Sequence, residues 1–292
     1  MKQLPANFKL SHFEVIPAPY EETVSYGQGT GNGPAAILEA AKQVEQFDEE
    51  ILIEASRLFD STTGNPVHGK GQRFRDDLAA ATARVLSEGK IPVILGGEHS
   101  LTPAAVKAVA KQFPRLSVLQ IDAHADLRDS YQGNPWSHAC AMRRVLELVP
   151  GVQVGIRNIA KDEYDYAVQS GQLNKIHFAG NCADRSGLKE IRSAKDREKA
   201  IKKIIDQLSD DVYVSIDVDG LDPSIMPSTG TPEPGGLHWN DLIDLLKICA
   251  KTKKIRGFDV VELAPIKGMH APDFLCAKLV FKLTNLISLG KR

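Results

Sequence analysis

The chain has 292 residues, 42% of them hydrophobic, enough for one large core, and no stretch shifts in composition as a second domain would. A formal net charge of -1, with Lys and Arg scattered among the acids, gives no basic footprint for nucleic acid, and there is no uncharged apolar run of about eighteen residues to span a membrane. Met1-Lys2-Gln3-Leu4-Pro5 lacks the apolar core of a secretion signal, and Cys140, Cys182, Cys249 and Cys276 stand far apart, so one domain over 1–292 is expected, cytoplasmic, with reduced thiols and a small-molecule partner.

In chain order, the segment Tyr26-Gly27-Gln28-Gly29-Thr30-Gly31-Asn32-Gly33-Pro34 places glycines before a helical pattern over 34–46. It is not read as a dinucleotide loop, because no apolar strand of adequate length feeds it and no acidic strand end follows at the required distance. A loop needing positive φ, with Pro34 opening the helix, accounts for it. Apolar runs that read as buried parallel strands follow at 91–97, 116–121, 152–156, 175–179, 212–216 and 255–261. Helical patterns lie between and after them at 76–88, 104–113, 139–148, 196–208, 240–250 and 272–289. Such alternation predicts an α/β protein with a mostly parallel sheet. Residues 224–236, rich in Pro and Gly, predict a long irregular loop of the kind that shapes pockets.

Metal-ligand residue types gather where three of these strands end, and parallel sheets place their sites at carboxyl ends. His99 follows the strand in Gly96-Gly97-Glu98-His99-Ser100, whose paired glycines let backbone pass close to something. In Asp122-Ala123-His124-Ala125-Asp126 the period of two throws Asp122, His124 and Asp126 onto one face of an extended chain. Asp217 and Asp219 repeat the pattern in Ser215-Ile216-Asp217-Val218-Asp219-Gly220. Carboxylates crowded with imidazoles repel or stay unpaired unless a cation holds them. Two His and four Asp exceed the three protein ligands usual for one catalytic zinc and suit two metals sharing carboxylates. Oxygen-rich ligation favours Mn²⁺, and a bridged pair generates hydroxide at neutral pH.

These three blocks, in this order, resemble the signature blocks of the ureohydrolases, the arginase and agmatinase family, and the resemblance covers nearly the whole chain. Tyr20-Glu21-Glu22-Thr23-Val24-Ser25-Tyr26-Gly27 and Gly230-Thr231-Pro232-Glu233-Pro234-Gly235-Gly236-Leu237 look more like agmatinases than arginases. The resemblance implies a single-domain three-layer α/β/α fold shared with deacetylases, two Mn²⁺ per chain, and a homo-oligomer, trimer or hexamer. It implies that His99, Asp122, Asp126 and Asp217 hold one manganese and Asp122, His124, Asp217 and Asp219 the other. Glu262, ending Phe258-Asp259-Val260-Val261-Glu262, resembles the family's guanidinium-binding glutamate, and His138 its proton-shuttling histidine. Asp126 is expected to aim the nucleophile, so His138, Asp126 and Glu262 form the expected catalytic set.

The activity implied is hydrolysis of agmatine to putrescine and urea in polyamine biosynthesis. Aminopropylagmatine, guanidinobutyrate, formimidoylglutamate or arginine are the alternative substrates. A deacetylase-like amidohydrolase needs only one metal, and an inactive regulatory homologue is expected to lack a ligand or Glu262, whereas all are present. Arg128, near the expected mouth, could meet a substrate carboxylate or pair with Asp129 or a neighbouring subunit. Asp222 and Asp259 are either supports for the ligands or turn residues. His12, His68, His177, His238 and His270 sit in no ligand spacing, and Cys140 is not needed as a nucleophile beside a metal-activated water.

Overall fold

The computed structural model describes residues 12–54, 63–179 and 194–290. In chain order its strands are β1 (Phe13–Ala18), the two-residue β2 (Phe47–Asp48) and β3 (Ile53–Glu54), β4 (Ile91–Gly96), β5 (Leu116–Ile121), β6 (Gly151–Ile156), β7 (Ile176–Phe178), β8 (Asp211–Asp217) and β9 (Lys254–Val261). Seven of them form one sheet in the order β1-β4-β9-β8-β5-β6-β7, every neighbouring pair parallel, while β2 and β3 make a small antiparallel pair.

The strands are apolar on both faces because both faces are covered. On β4, Val93 and Leu95 enter one core cluster and Ile94 the other; on β8, Val212, Val214 and Ile216 oppose Tyr213 in the same way. The first cluster gathers helices α1 (Gly33–Ala41), α6 (Ala194–Ile205), α7 (Trp239–Thr252) and α8 (His270–Leu289). The second gathers α2 (Gly71–Ser87), α3 (Thr102–Gln112), α4 (Ala141–Leu146) and α5 (Lys161–Ser170). The architecture is therefore the expected three-layer α/β/α.

Four elements escape the sequence patterns: the two-residue β2 and β3, β1 and helix α5. β1 carries Glu14 and Pro17, which interrupt its apolar run; it lies at the sheet edge, where a residue without an N–H is tolerated, and Glu14 is tied to Arg84 and Lys90. Helix α5 reads Lys-Asp-Glu-Tyr-Asp-Tyr-Ala-Val-Gln-Ser and buries only Glu163 and Ala167, too little to leave an apolar stripe. Helix α1 also stops at Ala41, short of the expected residue 46. Cys182 lies outside the described residues.

The connections decide where a ligand can sit. From β5 the chain proceeds to β6 on one side, and from β8 it proceeds to β9 on the other, so a crevice opens beyond the carboxyl ends of this adjacent pair. Register brings the ligand residues level: Ile121 pairs with Ile216, and Asp217 with Val261, so Asp122, Asp217 and Glu262 emerge side by side. On the other side of β9, the Glu262 amide donates to the Gly97 carbonyl at 2.7 Å, bringing His99 to the same rim.

The paired glycines serve this packing. A Cβ on Gly97 would lie 2.0 Å from the Tyr20 carbonyl oxygen, so only glycine lets the chain after β1 cross beneath the His99 turn. Gly97→Ala is expected to destabilise the fold by at least the ~1–3 kcal/mol typical of overpacking, because backbone cannot rotate away as a side chain can. Urea denaturation beside the wild type measures this; an unchanged midpoint would show that the crossing relaxes freely.

Candidate metal centre

The ligand residues from three strand ends meet at this rim. His99 Nδ1 lies 3.1 Å from Asp122 Oδ2, 3.1 Å from Asp126 Oδ2 and 3.3 Å from Asp217 Oδ2. Beside it, His124 Nδ1 lies 2.9 Å from Asp219 Oδ2 and 3.7 Å from Asp122 Oδ1. His99, Asp122 and Asp217 make one group able to hold a metal ion, and Asp122, His124 and Asp219 a second. Asp122 belongs to both, each of its oxygens facing a different imidazole.

The fit to a cation can be tested on one atom. His99 Nδ1 is buried and makes no hydrogen bond, although three carboxylate oxygens surround it, so the nitrogen and the oxygens converge on a common point rather than on each other. Burial, then repulsion from Asp219 and Asp126, pushes the Asp122 carboxyl up to about 7; burial and the same kind of repulsion hold Asp217 well above its usual range. Burial works against charge on His124, yet Asp219 outweighs it and lifts the imidazole to about 10. The cluster by itself thus retains protons that divalent cations would replace. Its donors are carboxylate and imidazole, without a thiolate, which suits Mn²⁺ or a similar ion better than a thiol-seeking one.

The His99 imidazole is aimed from behind. Ser215 Oγ lies 2.9 Å from His99 Nε2 and itself donates to Asp259 Oδ1 at 2.7 Å; Asp259 also accepts from Thr102 and Tyr213. Asp259 is therefore a support that reaches the centre through Ser215. Asp222 is a turn residue: hydrogen bonds from Ser224, then from the Gly235 and Gly236 amides, hold its carboxyl at about 2. Asp126 and Glu262 both adopt left-handed backbone, with φ of 52° and 67°. For residues other than glycine this costs on the order of 1–3 kcal/mol each, a strain that clusters at functional sites.

A cavity of about 210 Å³ opens over the centre, lined among others by His124, Asp126, Asp217, Asp219, His138 and Glu262. Glu262 Oε1 accepts the His99 amide at 2.6 Å, which fixes the carboxylate, and burial keeps its pKa well above the usual range. Thr23 gives its hydroxyl proton to Glu98 Oε1 at 2.7 Å, so its oxygen accepts from the His138 amide at 3.0 Å and from His138 Nδ1 at 3.2 Å. That assigns the proton to Nδ1 and leaves Nε2 as the basic nitrogen. Arg128, on the cavity wall, lies 3.6 Å from Asp162 and beside the Tyr131 ring; Asp129, one of the partners considered for it, instead pairs with Arg144 at 2.6 Å.

The remaining expectations resolve plainly. Glu233 accepts from Asn158 at 2.6 Å and lies 3.9 Å from His124 Nε2, so it faces an imidazole. His12, His68, His177, His238 and His270 join neither metal group. Burial raises the Cys140 thiol to about 11, unsuited to a nucleophile. In the glycine-rich segment, Gly29 has φ 112° and Pro34 stands in the first turn of α1. The Gly29 and Gly31 amides both donate to Glu21 at 2.8 Å, so the donors a phosphate would take already hold a carboxylate. Sequence reasoning missed Thr23, Glu98, Ser215 and Arg157; Thr23, Glu98 and Ser215 lay inside the motif blocks, but nothing in their spacing marks a supporting role.

A sequence model described as the Arginase family matches residues 11–285. The N(1)-aminopropylagmatine ureohydrolase of Synechocystis sp. is 36% identical over 280 residues, 92% of this chain and 87% of that protein. The agmatinase of Pyrococcus horikoshii is 32% identical over 288 residues, 97% of this chain and 95% of that protein. Among solved structures, the agmatine ureohydrolase of Thermoplasma volcanium superposes with a TM-score of 0.79 at 30% identity, covering 98% of this chain and 94% of that one.

Manganese loading followed by elemental analysis should approach two ions per chain, and Asp217→Ala should lose at least one; a plateau at one ion in the wild type contradicts a paired centre. Affinity should also rise with pH. His124, lifted to about 10, and Asp122, lifted to about 7, must release protons as a cation enters, so binding is weaker at pH 6 than at pH 8. Calorimetric titration at both pH values checks the sign.

Proposed function

Because the chain belongs to the arginase family of ureohydrolases, we propose that it hydrolyses a linear guanidinoalkylamine, agmatine first, to urea and an amine. One observation carries this reading: the buried Glu262 carboxylate, the His138 imidazole and members of both potential metal groups, Asp217 of one and His124 and Asp219 of the other, line a single cavity. Glu262 is the anion for a planar guanidinium, held in place by the His99 amide. Two divalent cations at the centre supply Lewis acidity and lower the pKa of water at neutral pH. Asp126, on the cavity wall and close to His99, is positioned to accept a hydrogen bond from the attacking water. Water adds to the guanidinium carbon, the basic His138 Nε2 takes up the proton that this water sheds, the bond from that carbon to the alkyl nitrogen breaks, and the same proton passes from Nε2 to the departing amine.

The acidic lining of the cavity, with Asp126, Asp217, Asp219 and Glu262 against one guanidinium, supports a cationic substrate; that guanidinium, Arg128, lies 3.6 Å from Asp162 and beside the Tyr131 ring. A second reading, the longer aminopropylagmatine, is favoured by relatives of that name at 35–36% identity.

His138→Asn should retain its metals and lose about 10²–10⁴-fold in kcat, the usual range for a positioned acid or base. Loss of metal or full activity would show that the role belongs elsewhere. In a urea-release assay with Mn²⁺, agmatine should exceed L-arginine in kcat/KM by at least about 10²-fold. Faster turnover of arginine, guanidinobutyrate or formimidoylglutamate removes the agmatine assignment. Preference for aminopropylagmatine selects the second reading.

A further inference from the structure

Behind the metal centre, on the side away from the cavity, three buried glutamines form a directed chain. Gln172 Nε2 donates to Gln153 Oε1 at 3.2 Å, Gln153 Nε2 to Gln120 Oε1 at 2.6 Å, and Gln120 Nε2 to Asp122 Oδ2 at 2.6 Å. Gln120 and Gln153 are wholly buried on neighbouring strands β5 and β6, in register, and Gln172 is 7% exposed. Three amides in an apolar interior cost free energy unless each bond is made, and a valine or leucine would fill any of these positions without that demand.

Direction is what the chain conveys. Gln153 Nε2 also donates to the Ala125 carbonyl at 2.8 Å, and Gln172 Nε2 to the Gly151 carbonyl at 3.2 Å. Carbonyls only accept, so neither amide can flip without setting oxygen against oxygen. With Gln153 fixed, the Gln120 oxygen is occupied, and its amino group must point at Asp122. The Asp122 Oδ1 atom meanwhile accepts the His124 amide at 2.6 Å. Each carboxylate oxygen thus receives one protein donor and keeps a lone pair for a cation, one toward His99 and one toward His124.

We propose that Gln153 and Gln172 are positioning residues: through Gln120 they lock the plane of the Asp122 carboxylate, while Gln153 also holds the Ala125 carbonyl between His124 and Asp126, and they thereby set the affinity of the centre for divalent cations, which neither residue touches. This rests on the metal reading of the centre. Partners that orient metal ligands typically change affinity by about 10–100-fold when removed.

The experiment is Mn²⁺ titration of the metal-free full chain by calorimetry, with the metal-free unfolding midpoint recorded in parallel. Gln153→Leu, close in volume and without donors, should bind Mn²⁺ at least about tenfold more weakly. In a Gln120→Leu background the same substitution should cause a clearly smaller loss, because the link to Asp122 is already cut and only the bond to the Ala125 carbonyl is left to lose. Gln172→Leu, one step farther and less disruptive to folding, should shift affinity the same way by a smaller factor, and it decides the matter where Gln153→Leu does not fold. Affinity unchanged in these variants, or an equal loss with and without Gln120, overturns the relay and leaves the glutamines as packing. Wild-type protein that binds no Mn²⁺ overturns the metal reading beneath it.

Discussion

Four aspartates within reach of two imidazoles, nearly all removed from water, make an arrangement that no apolar core would tolerate for its own sake. Asp122 and Asp219 are almost inaccessible, and Asp217 is 4% exposed. Charge at that depth is disfavoured by several kcal/mol per group unless something of opposite sign shares the space. The rest of the fold is arranged so that this something has a fixed place to sit. β8 and β5 bring Asp217 and Asp122 level across a switch in chain direction, β4 delivers His99 from beyond β9, and β9 ends on Glu262. None of these strands could slip by one residue without turning its ligand to the wrong face.

The ligands were legible because metal chemistry restricts residue type and strand geometry restricts spacing. Asp122, His124 and Asp126 alternate with alanine, and Asp217 and Asp219 with valine, so two independent patterns coincide in a few residues. The five central strands were legible for a similar reason: apolar on both faces, they read as continuous runs. β1 was not, since an edge position permits the proline and the paired glutamate that disguise it. Helix α5 was hidden because its contribution to the site, Glu163, is polar; that side chain accepts the Leu127 and Ala160 amides and so closes the turn beyond Asp126.

What the sequence conceals most is support through contacts distant in the chain. Thr23 and His138 are joined over more than a hundred positions, and Glu98 ties the first crossing loop to the same point through the Glu22 and Thr23 amides. No local pattern encodes such a pairing, because either partner could be a surface residue on its own. The glycine segment shows the converse. Its composition suggests an anion site, and the structure contains one, but the anion is the chain's own Glu21, whose two oxygens occupy the Gly29 and Gly31 amides. The loop that carries Tyr26 and Gly27 to the cavity is thereby pinned, and Gly27 bonds to Gly230 across the mouth.

Arg157 supplies the remaining step. It stands just beyond β6 and is half-buried, and this desolvation lowers its pKa, yet among the described residues its guanidinium makes no salt bridge. Its bonds go to backbone carbonyls instead: Asp219 and Glu233 at 2.6 Å, with Gly155, Gly220, Leu221 and Pro234 between 3.1 and 3.3 Å. A guanidinium paired directly with the Asp219 carboxylate would consume the lone pairs that a metal needs and would compete with it as a cation. Bonded to the Asp219 carbonyl, it draws the 218–221 turn against the 233–234 segment and contributes positive potential to an acidic site while leaving the carboxylate oxygens to His124 and the Ala123 amide. The same separation holds at Asp122, where a neutral amide rather than a charged side chain donates to the oxygen that faces His99. The site is thus held from behind by neutral donors and by a cation aimed at backbone, so that its negative charge stays available at the front.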